Sequence, residues 1–233
     1  MTAPRWLDPV QAGLATIRAD DLTRFVPPDD HAGRRGAVLM LFGEGPHGHD
    51  LLLTERAHTM RTHPGQVSFP GGSIDPGETP VETALREAWE ETGLDPSGVE
   101  VLGQLPELWL PPSNFAVTPV LGWWQTESPV TTHSVDEVHA IHRVPLRELI
   151  EPEHRVAVRA PGGWLGPAYL IGPEHDVLLW GFTAGIISRY FEHIGWADPW
   201  DTRRVVELPA RMLEGERRGP VPAPNTTLKE DDR

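Results

Sequence analysis

Glu87, Glu90 and Glu91 stand within the run REAWEET, residues 86–92, and their mutual repulsion calls for an explanation. On a helix they fall at i, i+3 and i+4, on one side of the cylinder. Like charges at that spacing cost about 0.2–0.5 kcal/mol per pair when exposed, and more when partly buried. Glu90 and Glu91 also occupy a final turn, where the helix dipole opposes negative charge. Two accounts fit these residues. One is a solvated acidic face, partly neutralised by Arg86. The other is a divalent-cation site, since hard carboxylate oxygens on a rigid element suit magnesium or manganese.

The element that must carry them is marked at both ends. Thr79, Pro80 and Glu82 read as an N-cap, a first-turn proline and a capping-box partner, and Gly93 as a stop, so the spacing predicts a helix over 80–92. Val81, Ala84, Leu85, Ala88 and Thr92 share an adjoining face that should lie against a sheet. Strands are expected at 36–42, 50–56, 99–105, 116–124 and 138–144, with 43–50 as a hairpin loop. Their alternation with helices predicts a mixed sheet in an α/β or α+β fold.

At the N-terminus, Asp8, Pro9 and Gln11 predict a capped helix reaching about Ala19, packed on the outside. Near the other end Trp180, Phe182, Ile186, Ile187, Tyr190, Phe191 and Ile194 form a stripe that reads as a core face rather than an aromatic cofactor box. No linker divides the chain. Residues 1–35 are expected to form a helix and loop, 36–208 one catalytic domain, and 209–233, rich in proline and charge, a flexible tail.

With 20 basic against 34 acidic side chains, the net charge of −14 argues against nucleic acid as a partner. An anionic substrate would then need a cation as intermediary. Cysteine is absent, which excludes disulfides and thiolate metal sites. No apolar run is long enough for a membrane span, and a cytoplasmic location is expected. The composition leaves a homodimer open.

The full pattern around the glutamates is Gly72, five residues, Glu78, seven residues, then Arg86, Glu87, Ala88, Trp89, Glu90, Glu91, Thr92, Gly93 and Leu94. At average residue frequencies its seven identities and two apolar positions should arise by chance at well below roughly one starting point in ten million. The pattern resembles the signature of the Nudix hydrolases, with a small Ala88 where a bulkier aliphatic residue is common. The resemblance implies an α/β/α sandwich around a mixed sheet, carrying a loop-helix-loop motif. It implies hydrolysis of a diphosphate dependent on Mg2+ or Mn2+, with Glu87, Glu90 and Glu91 as metal ligands helped by the Gly71 carbonyl. Arg86 joins the glutamates in the catalytic set, acting with Glu78 as scaffold. Glu137 is a candidate base, and equally reads as a surface carboxylate at a strand start.

Residues 52–72, LLTERAHTMRTHPGQVSFPGG, resemble a second motif, that of the coenzyme A diphosphatase branch, through Leu52, Leu53, Thr54, Ala57, Arg61, Gly65, Phe69, Pro70, Gly71 and Gly72. The helix at 180–191 also resembles that branch. This implies coenzyme A or its derivatives as substrate, 3′,5′-ADP and 4′-phosphopantetheine as products, and Arg61, Gly65 and Phe69 at the substrate. A guanidinium suits the 3′-phosphate of coenzyme A. His58 and His63 could meet phosphate, but neither has a spaced partner that would make it a metal ligand. Two rival readings remain: a Nudix hydrolase of ADP-ribose, a dinucleotide or a nucleoside triphosphate, and a Nudix module that binds nucleotide without cleaving it.

Overall fold

The computed structural model describes residues 3–23, 25, 33–60, 63–110, 114–134, 136–160, 163–209 and 212. Its centre is the hairpin of β1 (Arg34–Gly45) and β2 (Gly48–Arg56). Both strands run further into the expected loop than their apolar residues suggested. Gly48, at φ 102°, takes the left-handed backbone that so tight a turn requires.

Around this hairpin the sheet runs β3 (Val67–Ser68), β2, β1, β7 (Phe115–Trp124), β5 (Val99–Gln104). Three more strands pair off this path. β4 (Gly71–Ser73) pairs with β1, β6 (Leu108–Leu110) with β7, and β8 (Val138–Pro145) with β2. β1 and β7 are parallel and the other pairs antiparallel, so the sheet is mixed, as expected.

Alternation along the strands sends their side chains to two separate cores. Leu39, Leu41 and Leu52 pack with Val120, Trp124 and the Ala84 and Ala88 face of α3 (Pro80–Thr92). Met40, Phe42, Leu51 and Leu53 pack on the opposite side, with Ile186, Ile187, Tyr190 and Phe191 of α5 (Gly181–His193). The sheet is therefore covered by helices on both faces. The aromatic stripe of α5 is core, and burying each of its large side chains contributes about 1.5–3 kcal/mol before the cost of ordering it.

The N-terminal segment departs from expectation. A 3-10 turn, Arg5–Leu7, leads into α1 (Asp8–Leu14), and α2 (Ala19–Leu22) follows as a separate element. Leu7, not Asp8, occupies the cap position, and no side chain caps it. Leu7 and Val10 are fully buried, and the Tyr190 hydroxyl donates to the Val10 carbonyl at 2.6 Å. The segment is part of the second core rather than a peripheral helix.

A second sheet was not foreseen. After α4 (Leu146–Ile150), the strands β9 (Arg155–Arg159), β10 (Leu165–Ile171), β11 (Val177–Leu179) and β12 (Val205–Glu207) order as β11, β10, β9, β12. The buried Arg155 guanidinium joins this sheet to α5 through Ser188 at 2.7 Å and Glu192 at 3.2 Å. Of the expected tail only Pro209 and Met212 are described, and Met212 is buried with Leu208. No helix of the described residues is long and apolar enough to cross a membrane.

Candidate functional site

α3 spans the residues its caps predict. Thr79 Oγ1 accepts from the Glu82 N–H at 3.3 Å, Glu82 accepts from the Thr79 N–H at 2.8 Å, and Gly93 ends the helix at φ 69°. The apolar side of α3 fixes its rotation on the sheet, and that rotation sets where the glutamates project. β4 runs alongside, making Gly72 the floor under Glu87. A Cβ at Gly72 would overlap the Glu87 carboxylate, and one at Gly71 would overlap the Ala37 carbonyl and the Val38 backbone. The double glycine is thus a requirement of close approach.

Arg86 ties loop and helix together. Its Nε donates to Glu78 Oε1 at 2.7 Å and its Nη2 to Glu78 Oε2 at 2.9 Å, a bidentate pair. Nη1 donates to Glu87 at 3.0 Å and to Glu90 at 3.3 Å, while Nη2 also reaches the Ser73 carbonyl at 3.2 Å. Glu78 accepts further bonds from Thr83 and the Asp75 amide. The hydrogen bonds from Arg86 and then Thr83 draw its pKa down to about 2.

Glu91 is in a different state. Burial, then the neighbouring Glu87 charge, pushes its pKa up to about 8. Arg56, a hydrogen bond from the Gly71 backbone and a 3.4 Å hydrogen bond from Thr54 Oγ1 only partly offset this. Burial also raises Glu87, against the pull of Arg86. Glu137 adds repulsion at both Glu87 and Glu91, which places it within electrostatic reach of the cluster. A half-buried group of carboxylates with more negative charge than one guanidinium can neutralise suits a hard divalent cation. Glu87, Glu90 and Glu91 offer oxygen donors for Mg2+ or Mn2+.

The substrate residues expected from sequence divide three ways. Arg61 lies outside the described residues. Gly65, at φ 67°, lies over the His58 ring. Phe69 is only 2% exposed, and its ring packs in the second core with Leu51, Leu53 and Val67. Sequence reasoning missed the part that Thr54 and Arg56 play beside Glu91. Both lie in the 52–72 motif, but only the fold of β2 shows that they face the carboxylates.

A mixed sheet lies between helices, with a capped glutamate helix packed against a double-glycine strand. The NUDIX domain model matches residues 33–161. The chain is 39% identical over 141 residues to Nudix hydrolase 3 of Caenorhabditis elegans, covering 59% of this chain and 58% of that protein. It is 38% identical over 165 residues to the uncharacterized Nudix hydrolase NudL of Cronobacter sakazakii, covering 70% and 83%. With Nudix hydrolase 15, mitochondrial, of Arabidopsis thaliana the identity is 37% over 172 residues, covering 70% and 59%. The chain belongs to the Nudix hydrolase family, in the branch marked by its 52–72 pattern.

Proposed function

We propose that this enzyme hydrolyses the diphosphate of coenzyme A or its derivatives, releasing 3′,5′-ADP and 4′-phosphopantetheine or its acylated form. One observation carries the reading. Part of the motif that resembles the coenzyme A branch adjoins the carboxylate site: Thr54 bonds Glu91, and Gly71 and Gly72 meet Glu91 and Glu87. The residues that suggest the substrate therefore adjoin those that suggest the chemistry.

In the reaction, water adds to one phosphorus while the bridging P–O bond breaks and the other phosphate leaves. Glu87, Glu90 and Glu91 would hold the divalent cation, with the Gly71 carbonyl as a further donor. When bound, the ion neutralises the diphosphate and acidifies water. Arg86 fixes the orientation of Glu87 and Glu90, and its bidentate grip on Glu78 holds the preceding loop against α3. Glu137, whose charge is felt at Glu87 and Glu91, is assigned as the general base. Arg61, by its position in the motif, is assigned to the 3′-phosphate, and Gly65 to the turn that admits the nucleotide.

The test is to incubate the protein with coenzyme A and Mn2+ or Mg2+, resolving products by chromatography, with dephospho-coenzyme A and ADP-ribose in parallel. The expected result is 3′,5′-ADP, with dephospho-coenzyme A turned over less well. Equal turnover of both coenzymes would remove the 3′-phosphate from recognition, and efficient cleavage of ADP-ribose alone would replace the substrate.

A further inference from the structure

β2 carries a second cluster of ligating side chains, turned away from the glutamates of α3. Thr54 reaches Glu91, whereas Glu55, the next residue, points to the other face of the sheet by strand alternation. That is also the face of Leu53, whose partner on β8 is His142. Glu55 Oε2 lies 2.9 Å from His142 Nε2, and Oε1 lies 3.0 Å from His58 Nε2. The β2–β8 register shifts between Glu55 and Arg56, so that Ala140 and Val138 oppose them and His139 is the extra residue of a bulge. The His139 ring packs edge-on to the His58 ring, with centroids 4.5 Å apart.

One ligand atom each from Glu55, His58 and His139 lies within 4.8 Å of the others. Tetrahedral zinc, with bonds of about 2.0–2.2 Å to nitrogen and oxygen, holds its donors about 3.3 Å apart, so a modest closure completes three ligands and leaves a fourth position for water. Glu55 is only 8% exposed. Gly65 secures the arrangement, because a Cβ there would press on the His58 ring at 3.0 Å, on a backbone already in the left-handed region.

We propose that Glu55, His58 and His139 form a second metal site, for Zn2+ or a transition ion of similar preference, distinct from the carboxylates of α3. Two imidazoles and one carboxylate are the donors such ions favour, whereas Mg2+ favours oxygen throughout. His142 holds the second oxygen of Glu55 and orients it, a supporting partner of the kind that tunes metal affinity. The ion would join three separate stretches of chain: β2, the turn after it and the start of β8. It would thereby anchor the His58 end of the turn that leads to Gly65.

The experiment uses the full chain carrying Glu90→Gln and Glu91→Gln, which silences the oxygen site. Stripped with chelator, it is titrated with Co2+ and then Zn2+, while visible absorption and thermal melting are followed. About one equivalent of Co2+ should bind with the bands of a low-coordinate nitrogen–oxygen site, and Zn2+ should displace it and raise the melting temperature. Adding His58→Ala or His139→Ala should weaken binding by more than about 100-fold, beyond the loss typical of a supporting partner. The melting curve of each metal-free variant reports whether it folds, and His58→Ala, in a turn, keeps the test available if His139→Ala does not. Binding that survives both substitutions, or no binding at all, overturns the proposal. So does binding lost instead in His154→Ala, which would move the ion to the Glu151, Glu153 and His154 group.

Discussion

The two faces of β2 carry opposite charge balances. On one, Glu87, Glu90, Glu91 and the nearby Glu137 crowd around Arg86 and Arg56, and Glu91 is buried with its pKa near 8. On the other, the single carboxylate of Glu55 faces His58, His139 and His142 and is held below its usual pKa. Burial raises both carboxyls, Glu91 the more; the like charge of Glu87 adds to it there, whereas the hydrogen bond from His142 and the other imidazoles outweigh it at Glu55. The oxygen-rich face is incomplete without a strong external cation. The nitrogen-rich face is already paired, and selects an ion by donor type rather than by unmet charge.

The largest expected effect separates the faces by function. Glu90→Gln should lower turnover of the preferred diphosphate by more than about 100-fold, since even a supporting partner of a metal ligand is worth 10–100-fold. The substitution also removes one acceptor from Arg86, whose other bonds to Glu78 and Glu87 remain. Steady-state kinetics would show the loss in kcat, while Co2+ binding at Glu55 should be unchanged. Retained turnover would remove the α3 carboxylates from the chemistry.

The second effect is read in stability. Glu91 titrates near 8 in the fold against 4.5 as an ordinary glutamate. A raised carboxyl pKa means the fold prefers the neutral form, so no penalty exists below about pH 4.5, and one grows as pH rises from there toward 8. In chelator the melting temperature should fall across that window, by on the order of 5–10 °C. Glu91→Gln should flatten the profile, and Mg2+ or Mn2+ should restore more stability at pH 8 than at pH 5. Glu78 does not confuse the window: its lowered pKa contributes stability above 4.5 that is lost only as pH falls toward 2. A flat profile in the unsubstituted protein would place Glu91 in water.

These contrasts bear on what the sequence disclosed. α3 was legible to the residue because caps and i, i+3, i+4 spacing are local. The mixed sheet was legible because β1, β2, β7 and β8 are long and apolar. The second sheet was not, because β11 and β12 are three residues each and draw their stability from contacts distant in sequence. The burial of Phe69 was not legible for a related reason: a motif records that a position matters, not whether its side chain turns toward the site or the core. His58 looked isolated because the second imidazole, His139, comes from β8, and only the β2–β8 register with its bulge brings the two rings together.

The smallest effect asks how strongly the oxygen face is positioned from β2. Thr54 Oγ1 lies 3.4 Å from Glu91 and 3.5 Å from the Ser68 carbonyl, long contacts from a side chain that is almost wholly buried. Thr54→Val keeps the branched shape a strand accommodates and removes only the hydroxyl. Lost hydrogen bonds of this length should cost no more than about 1 kcal/mol by denaturant unfolding. The Glu91 pKa should rise further, because a donor to its ionised form is gone, and the downward limb of the pH–stability profile should move with it. Turnover should change less than about tenfold and Co2+ affinity not at all, since Glu55 faces away. A loss comparable to that of Glu90→Gln would show that Glu91 is held from the sheet, and that β2 positions the oxygen site as closely as it forms the nitrogen one.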